Sequence, residues 1–182
     1  MSLPPQLLKY CESATVAISL ASTEYGEPLL YVNPSFEQLT GYNGTELYGK
    51  NCRLLQKNSP NTENRKKIRD FINNDDIESI RTPLINFKKD NTPFVNLLFM
   101  SKLKNSIGKT EFLFASQFNV SHTYPNMISN YENNLENTLT NIPSIIRNNN
   151  LILSGSLSVV ANAAATIAQA KIMLDQIDAS YI

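Results

Sequence analysis

Gly49-Lys50-Asn51-Cys52-Arg53-Leu54-Leu55-Gln56 decides the reading of this chain. It sets one cysteine among a glycine, two amides and an arginine, side chains that suit a phosphate and a hydroxylated chain. Taken alone, a cysteine in a short loop reads as an inert small hydrophobe. A hydrolytic nucleophile needs a base beside it, and the 182-residue chain holds a single histidine, His122, far along the sequence. Metal binding fails on similar grounds: one histidine and two cysteines, Cys11 and Cys52, stand without ligand spacing. The cysteine gains meaning only from its neighbours.

Outward from the motif, residues 16–20 and 29–32 predict two strands joined by a polar turn with Gly26 and Pro28. Asn33-Pro34 then opens a helix, since Asn can cap it and Pro suits the first helical position. Short helical turns are expected up to Gly49. Thr62 is expected to cap a further helix, in which Lys67, Ile68, Phe71 and Ile72 follow over two turns. Residues 80–87, 94–103 and 110–120 predict three more strands, the first two joined by a turn at Lys89-Asp90-Asn91. Two strands, a helical run and three strands predict an α+β core over residues 15–120, behind an N-terminal cap over 1–14. The expected architecture is a five-stranded antiparallel sheet with short helices on one face.

Strand alternation picks out buried amides. Phe94, Asn96, Leu98 and Met100 share one face of the fourth strand. Leu84 and Asn86 share a face of the third, and Leu113, Ala115 and Gln117 a face of the fifth. Amides among bulky apolar side chains need partners. Three of them on three strands suit the polar edge of a planar ring that both donates and accepts. Arg53 in the motif and Arg69 on the following helix could clamp a phosphate between two guanidinium forks. The plainer reading of Arg69 is a solvated basic face, because Arg65, Lys66 and Lys67 surround it.

The motif resembles the flavin-binding signature of LOV (light-oxygen-voltage) domains of the PAS superfamily, G-x-N-C-R-F-L-Q, and departs from it only at Leu54. The spacing of Arg53 and Arg69 is similar to that of the family's phosphate-holding arginines, as is the ten-residue spacing of Asn86 and Asn96. The resemblance covers residues 15–120 and implies a PAS/LOV fold and bound FMN. It also implies a blue-light photoreceptor in which the Cys52 thiol adds reversibly to flavin carbon C4a, with Gln117 sensing the change and relaying it. It implies further cofactor contacts at Ala17, Ser19, Asn51, Leu55, Gln56, Ile72, Leu98, Leu113 and Ala115, beside Arg53, Arg69, Asn86 and Asn96. Glu27 stands where plant members usually have Asn. The short loop over residues 57–61 lacks the insertion of FAD-binding relatives, which favours FMN.

Sixteen basic and sixteen acidic residues cancel, so nothing pulls the chain toward nucleic acid or an anionic membrane. Two cysteines without disulfide-like spacing fit a reducing, cytoplasmic setting. The N-terminus lacks the basic start and apolar core of a signal peptide. Residues 151–170 carry no charge, yet their Ser, Asn, Thr and Gln residues favour a packing helix over a membrane span.

The region 121–182 predicts two helices. Ile128, Tyr131, Leu135, Leu139 and Ile142 fall at helical spacing in the first. Leu153, Ser156, Val160, Ala163, Ile167, Ala170, Leu174 and Ile177 form a heptad seam in the second. The tail carries no recognisable effector, so the chain resembles a short bacterial LOV protein that signals by association, with a homodimer through the C-terminal helices as the expected partner. An enzyme is not expected. The competing readings are a PAS-type ligand or protein-interaction module without photochemistry, and a small flavin oxidoreductase. The latter lacks a nicotinamide-binding glycine pattern.

Overall fold

The computed structural model describes residues 3–121 and Ala165. Five antiparallel strands lie in the order β2-β1-β5-β4-β3: β1 (Ala17–Ser22), β2 (Leu29–Val32), β3 (Ser79–Phe87), β4 (Pro93–Lys104) and β5 (Thr110–Asn119). Four helices accompany them, α1 (Pro5–Ser13), α2 (Pro34–Thr40), α3 (Gly44–Leu47) and α4 (Thr62–Asn73), with a 3-10 turn over Cys52–Gln56. The two-strand, helix, three-strand order expected from the sequence is therefore the observed order. Apart from Ala165, the predicted C-terminal helices and His122 lie outside the described residues.

Period-two alternation divides the sheet into two faces. Ile18 and Leu20 of β1, Leu103 of β4, and Phe112 and Phe114 of β5 are buried together on one face, covered by Leu7 and Cys11 of α1. Ala165 also packs against this cluster. The expectation of helices on one face thus holds for α2 to α4, while α1 lies on the other. The opposite face carries two apolar groups: Ala17, Leu29, Val32, Phe36, Leu47 and Leu55 near β1 and β2, and Leu84, Leu98 and Ala115 with Ile68 further along. The space between them is where the amides point.

Asn33 joins three elements. Its side chain caps α2 by accepting from Phe36 N at 3.0 Å, and also accepts from Ile18 N of β1 at 2.8 Å. Its amide nitrogen lies within hydrogen-bonding distance of Cys11 O, Ala14 O and Val16 O. The residue is wholly buried, so water cannot replace any of these partners. Gly41 ends α2 in the left-handed region at φ 76°, its N–H donating to Glu37 O. Asn43 and Glu46 form a reciprocal capping box on α3.

At α4 the structure corrects an expectation. Thr62 is the first helical residue and Asn61 holds the cap position, without a side-chain capping bond. Its side chain is drawn instead to β3, accepting from Ile85 N at 3.0 Å and donating to Ile85 O at 2.9 Å.

Replacing Asn33 by Ala strands several buried backbone groups, and is expected to lower stability by about 2–4 kcal/mol in equilibrium urea unfolding.

Candidate functional site

The motif loop is built onto the sheet residue by residue. Gly49 adopts φ 75°, a conformation that costs glycine nothing, and this turns the chain back along β2. Gly49 N donates to Leu29 O at 2.8 Å, and Leu29 N donates to Lys50 O at 2.9 Å. Asn51 then caps the 3-10 turn by accepting from Arg53 N at 2.8 Å, while its amide donates to Gly26 O at 2.6 Å and to Glu27 at 3.1 Å. Cys52 is the first residue of that turn. At the far end Gln56 accepts from Asn61, which together with Ser59 is bonded to Ile85 of β3.

Between this loop, α4 and the sheet lies a cavity of about 190 Å³. Of the residues expected to form a site, Cys52, Ser19, Asn51, Arg53, Gln56, Arg69, Ile72, Asn86, Asn96, Leu98, Leu113, Ala115 and Gln117 all line it. Two do not. Ala17 and Leu55 are buried one layer back, in the cluster with Phe36 and Leu47. Ala17 instead borders a second cavity at the end of β5, which Gln117 also lines. Alternation identifies the face a side chain takes but not which element covers it, and α2 and α3 cover that end of β1.

Several further residues line the cavity. Arg65 lies one turn before Arg69, and Ile68 one turn before Ile72, so both pairs share a face of α4. The signal for Arg65 was that spacing, hidden in a run of basic residues. Ala21 continues the alternation from Ser19, and Met100 that from Leu98. Glu27 reaches the cavity as well, tied to Asn51.

The two ends of the cavity differ in chemistry. At the sheet end, Asn86 Oδ1, Asn96 Oδ1 and Gln117 Oε1 are buried without a hydrogen-bond partner. Such groups cost free energy unless a guest satisfies them. At the other end stand Arg53, Arg65 and Arg69, which with Lys66 also line an adjoining outer recess. The ion pairs found among the described residues are Lys89–Glu46, Lys102–Asp75 and Lys104–Glu78, and none uses these arginines. Cations at one end and unanswered amides at the other fit a guest with an anionic tail and a polar-edged ring.

Burial pushes the Cys52 thiol up to about 12, so it is a neutral S–H at physiological pH. Cys11, in the outer-face cluster, is pushed up to about 12 by the same desolvation. No cluster of His, Cys, Asp and Glu among the described residues could hold a metal ion. Nor is any helix among them long and apolar enough to cross a membrane.

A PAS domain model matches residues 15–122, and the chain belongs to the PAS domain family. Within that family its core is a LOV domain, as three similarities show. A blue-light-activated histidine kinase of Brucella anthropi is 32% identical over 94 residues, which cover 52% of this chain and 19% of the kinase. The solved structure of an RNA-binding light-oxygen-voltage receptor is 36% identical with a TM-score of 0.61, over 66% of this chain and 33% of its own. The Rhodobacter sphaeroides LOV protein is 26% identical with a TM-score of 0.61, over 68% of this chain and 71% of its own. The chain spans about a fifth of the kinase's length.

The raised thiols have a consequence for stability. Unfolded thiols ionise near 9.0 and the folded ones near 12, so the unfolded chain loses protons first as pH rises. Stability from keeping these thiols neutral is present below pH 9 and is lost as pH climbs toward 12. The urea midpoint is expected to fall across that window, and Cys11→Ala and Cys52→Ala should each make the fall shallower.

Proposed function

We propose that this chain is a blue-light sensor that holds FMN and uses Cys52 as its photoreactive thiol. One observation carries the reading: a neutral cysteine opens onto a cavity with, among the described residues, unpartnered amides at one end and arginines in no ion pair at the other. In this reading Arg53, Arg69 and Arg65 hold the phosphate, and Asn51 and Gln56 meet the hydroxylated chain. Asn86, Asn96 and Gln117 face the polar edge of the ring, and Ile72, Leu98, Leu113 and Ala115 wall its apolar part. Asn and Gln amides can turn end for end, so each offers a donor or an acceptor as needed. FMN is preferred to FAD because the loop after Gln56 is short.

FMN held there would supply the light absorption and an electrophilic ring bond, and the Cys52 S–H would add across it reversibly, its sulfur to carbon and its hydrogen to the neighbouring nitrogen. Cys52 supplies both atoms. Its thiol is protonated before light arrives, so no base beside it is required, consistent with a chain that has one histidine far from the motif. The protein's share is proximity: the cap by Asn51 and the bonds of Gly49 and Lys50 to β2 fix where the sulfur sits. We assign Gln117, which lines the cavity, the role of relay. It lies on β5, from which the chain leaves the sheet within a few residues. The output is proposed to be a change in association through residues 121–182, with a second copy of the chain as partner, in a cytoplasmic setting.

The deciding experiment is the absorption spectrum of purified protein before, during and after a blue-light pulse. The expected result is a flavin band that bleaches and returns in darkness in the native chain, and that does not bleach in Cys52→Ala. A flavin that never bleaches would leave a flavoprotein of another kind. Absence of flavin would leave a PAS-type binding module.

Replacing Gln117 by Leu is expected to preserve bleaching while reducing the light-dependent change in size-exclusion elution. An undiminished elution change would remove Gln117 from the relay.

A further inference from the structure

Ser19 of β1 and Gln117 of β5 are both deeply buried, each retaining 4% of its surface. Gln117 Nε2 donates to Ser19 Oγ at 3.0 Å, which leaves Gln117 Oε1 buried and unpartnered. An amide has a donating end and an accepting end, whereas a hydroxyl does both. If the amide turns by half a revolution, the Ser19 hydroxyl can rotate and donate to Oε1, and Nε2 is then the free end. Either orientation keeps the Ser19 bond and presents the opposite polarity to the cavity. A partner that could only donate, or only accept, would hold the amide in one orientation.

We propose that Ser19 is the positioning residue that lets Gln117 present either a donor or an acceptor to the bound flavin. The inference rests on the photoreceptor reading, in which the ring atom facing Gln117 accepts before the thiol adds and carries the thiol's hydrogen afterwards. Gln117 must therefore donate in darkness and accept in the light, and Ser19 satisfies its other end in both states. No other hydroxyl takes this place among the neighbours on β5: Ser116 is opposite Ile18, on the face that α1 covers. The amides of Asn86 and Asn96 carry their own unpartnered oxygens. In this account Ser19 acts through Gln117 and not on the flavin itself.

The test is a double-mutant cycle in the full chain with Ser19→Ala, Ser19→Thr, Gln117→Leu and the Ser19→Ala/Gln117→Leu pair. In FMN-loaded protein, Ser19→Ala is expected to change the dark-recovery rate by roughly threefold or more. The same substitution in the Gln117→Leu background should change it by less than about twofold, and Ser19→Thr, which keeps the hydroxyl, should stay near the native rate. In flavin-free protein, the two substitutions should be non-additive by roughly two- to tenfold in the unfolding equilibrium constant. Equal effects of Ser19→Ala in both backgrounds, or a Ser19→Thr protein that behaves like the Ala variant, would overturn the proposal. Additive stabilities in flavin-free protein would overturn the hydrogen bond beneath it. A native chain that fails to bleach would show that the photoreceptor reading itself has failed, a result visible before any variant is compared.

Discussion

The loop that carries Cys52 is fastened to the sheet at both ends, and the site depends on that constraint. At its start, backbone bonds run from Gly49 and Lys50 to Leu29 of β2. At its end, Asn61 and Ser59 bond to Ile85 of β3. These strands are the two edges of the sheet, so the loop spans the full width of the face and roofs the cavity. A thiol carried on a free loop would spend much of its time away from any reaction partner. Fixing it in advance removes that entropic cost from the reactive step. The motif's glycine and asparagine thus serve geometry first, Gly49 by its positive φ and Asn51 by capping the turn.

The same constraint explains why polar groups can be left unanswered in the interior. The orphaned oxygens of Asn86, Asn96 and Gln117 are each a liability of about 1–3 kcal/mol if nothing donates to them. Apolar clusters around Phe36 and Leu47 and around Leu84 and Leu98 flank the cavity into which these amides open. Binding a ring with a polar edge turns that liability into affinity. Under the proposed function, the flavin-loaded chain would be the more stable form, by linkage.

Much of this was legible in the sequence because strand periodicity is rigid. Once Asn96 and Leu98 share a face, Asn86 and Gln117 follow from the pairing of adjacent antiparallel strands. The cysteine motif was legible through its resemblance to the LOV signature, since a cysteine in a short loop taken alone reads as an inert hydrophobe. Helix α1 was not, since Pro4-Pro5 and a nine-residue helix offer little periodic signal and its stability comes from Leu7 and Cys11 packing on the sheet. Ala17 and Leu55 show the limit of the resemblance: both were expected at the cofactor, but they are buried in the cluster with Phe36 and Leu47 and do not line the cavity. Arg65 shows the limit of composition, because a basic run looks solvated until the helix phase is known. Thr62 fits the cap by local preference, yet Asn61 holds that position while its side chain makes four hydrogen bonds to Gln56, Ser59 and Ile85.

A light sensor working as proposed must convert one altered hydrogen bond into a structural bias, and the magnitudes allow it. Exchanging one buried hydrogen bond for another changes a free-energy difference by about 0.5–1.5 kcal/mol, a shift of roughly two- to tenfold in a two-state population. Gln117 is well sited for so small a lever. It pairs with Ala17 on β1 and Leu98 on β4, and it lines both the main cavity and the recess at the end of β5. Just beyond it, Val120 N donates to Val95 O and Val95 N donates to Ser121 Oγ. The departure of the chain from the sheet is therefore fixed by a few bonds to β4, within four residues of Gln117. In the proposed relay, a turn of that amide would need to reach only Val120 and Ser121, and no long-range path through the core would be required.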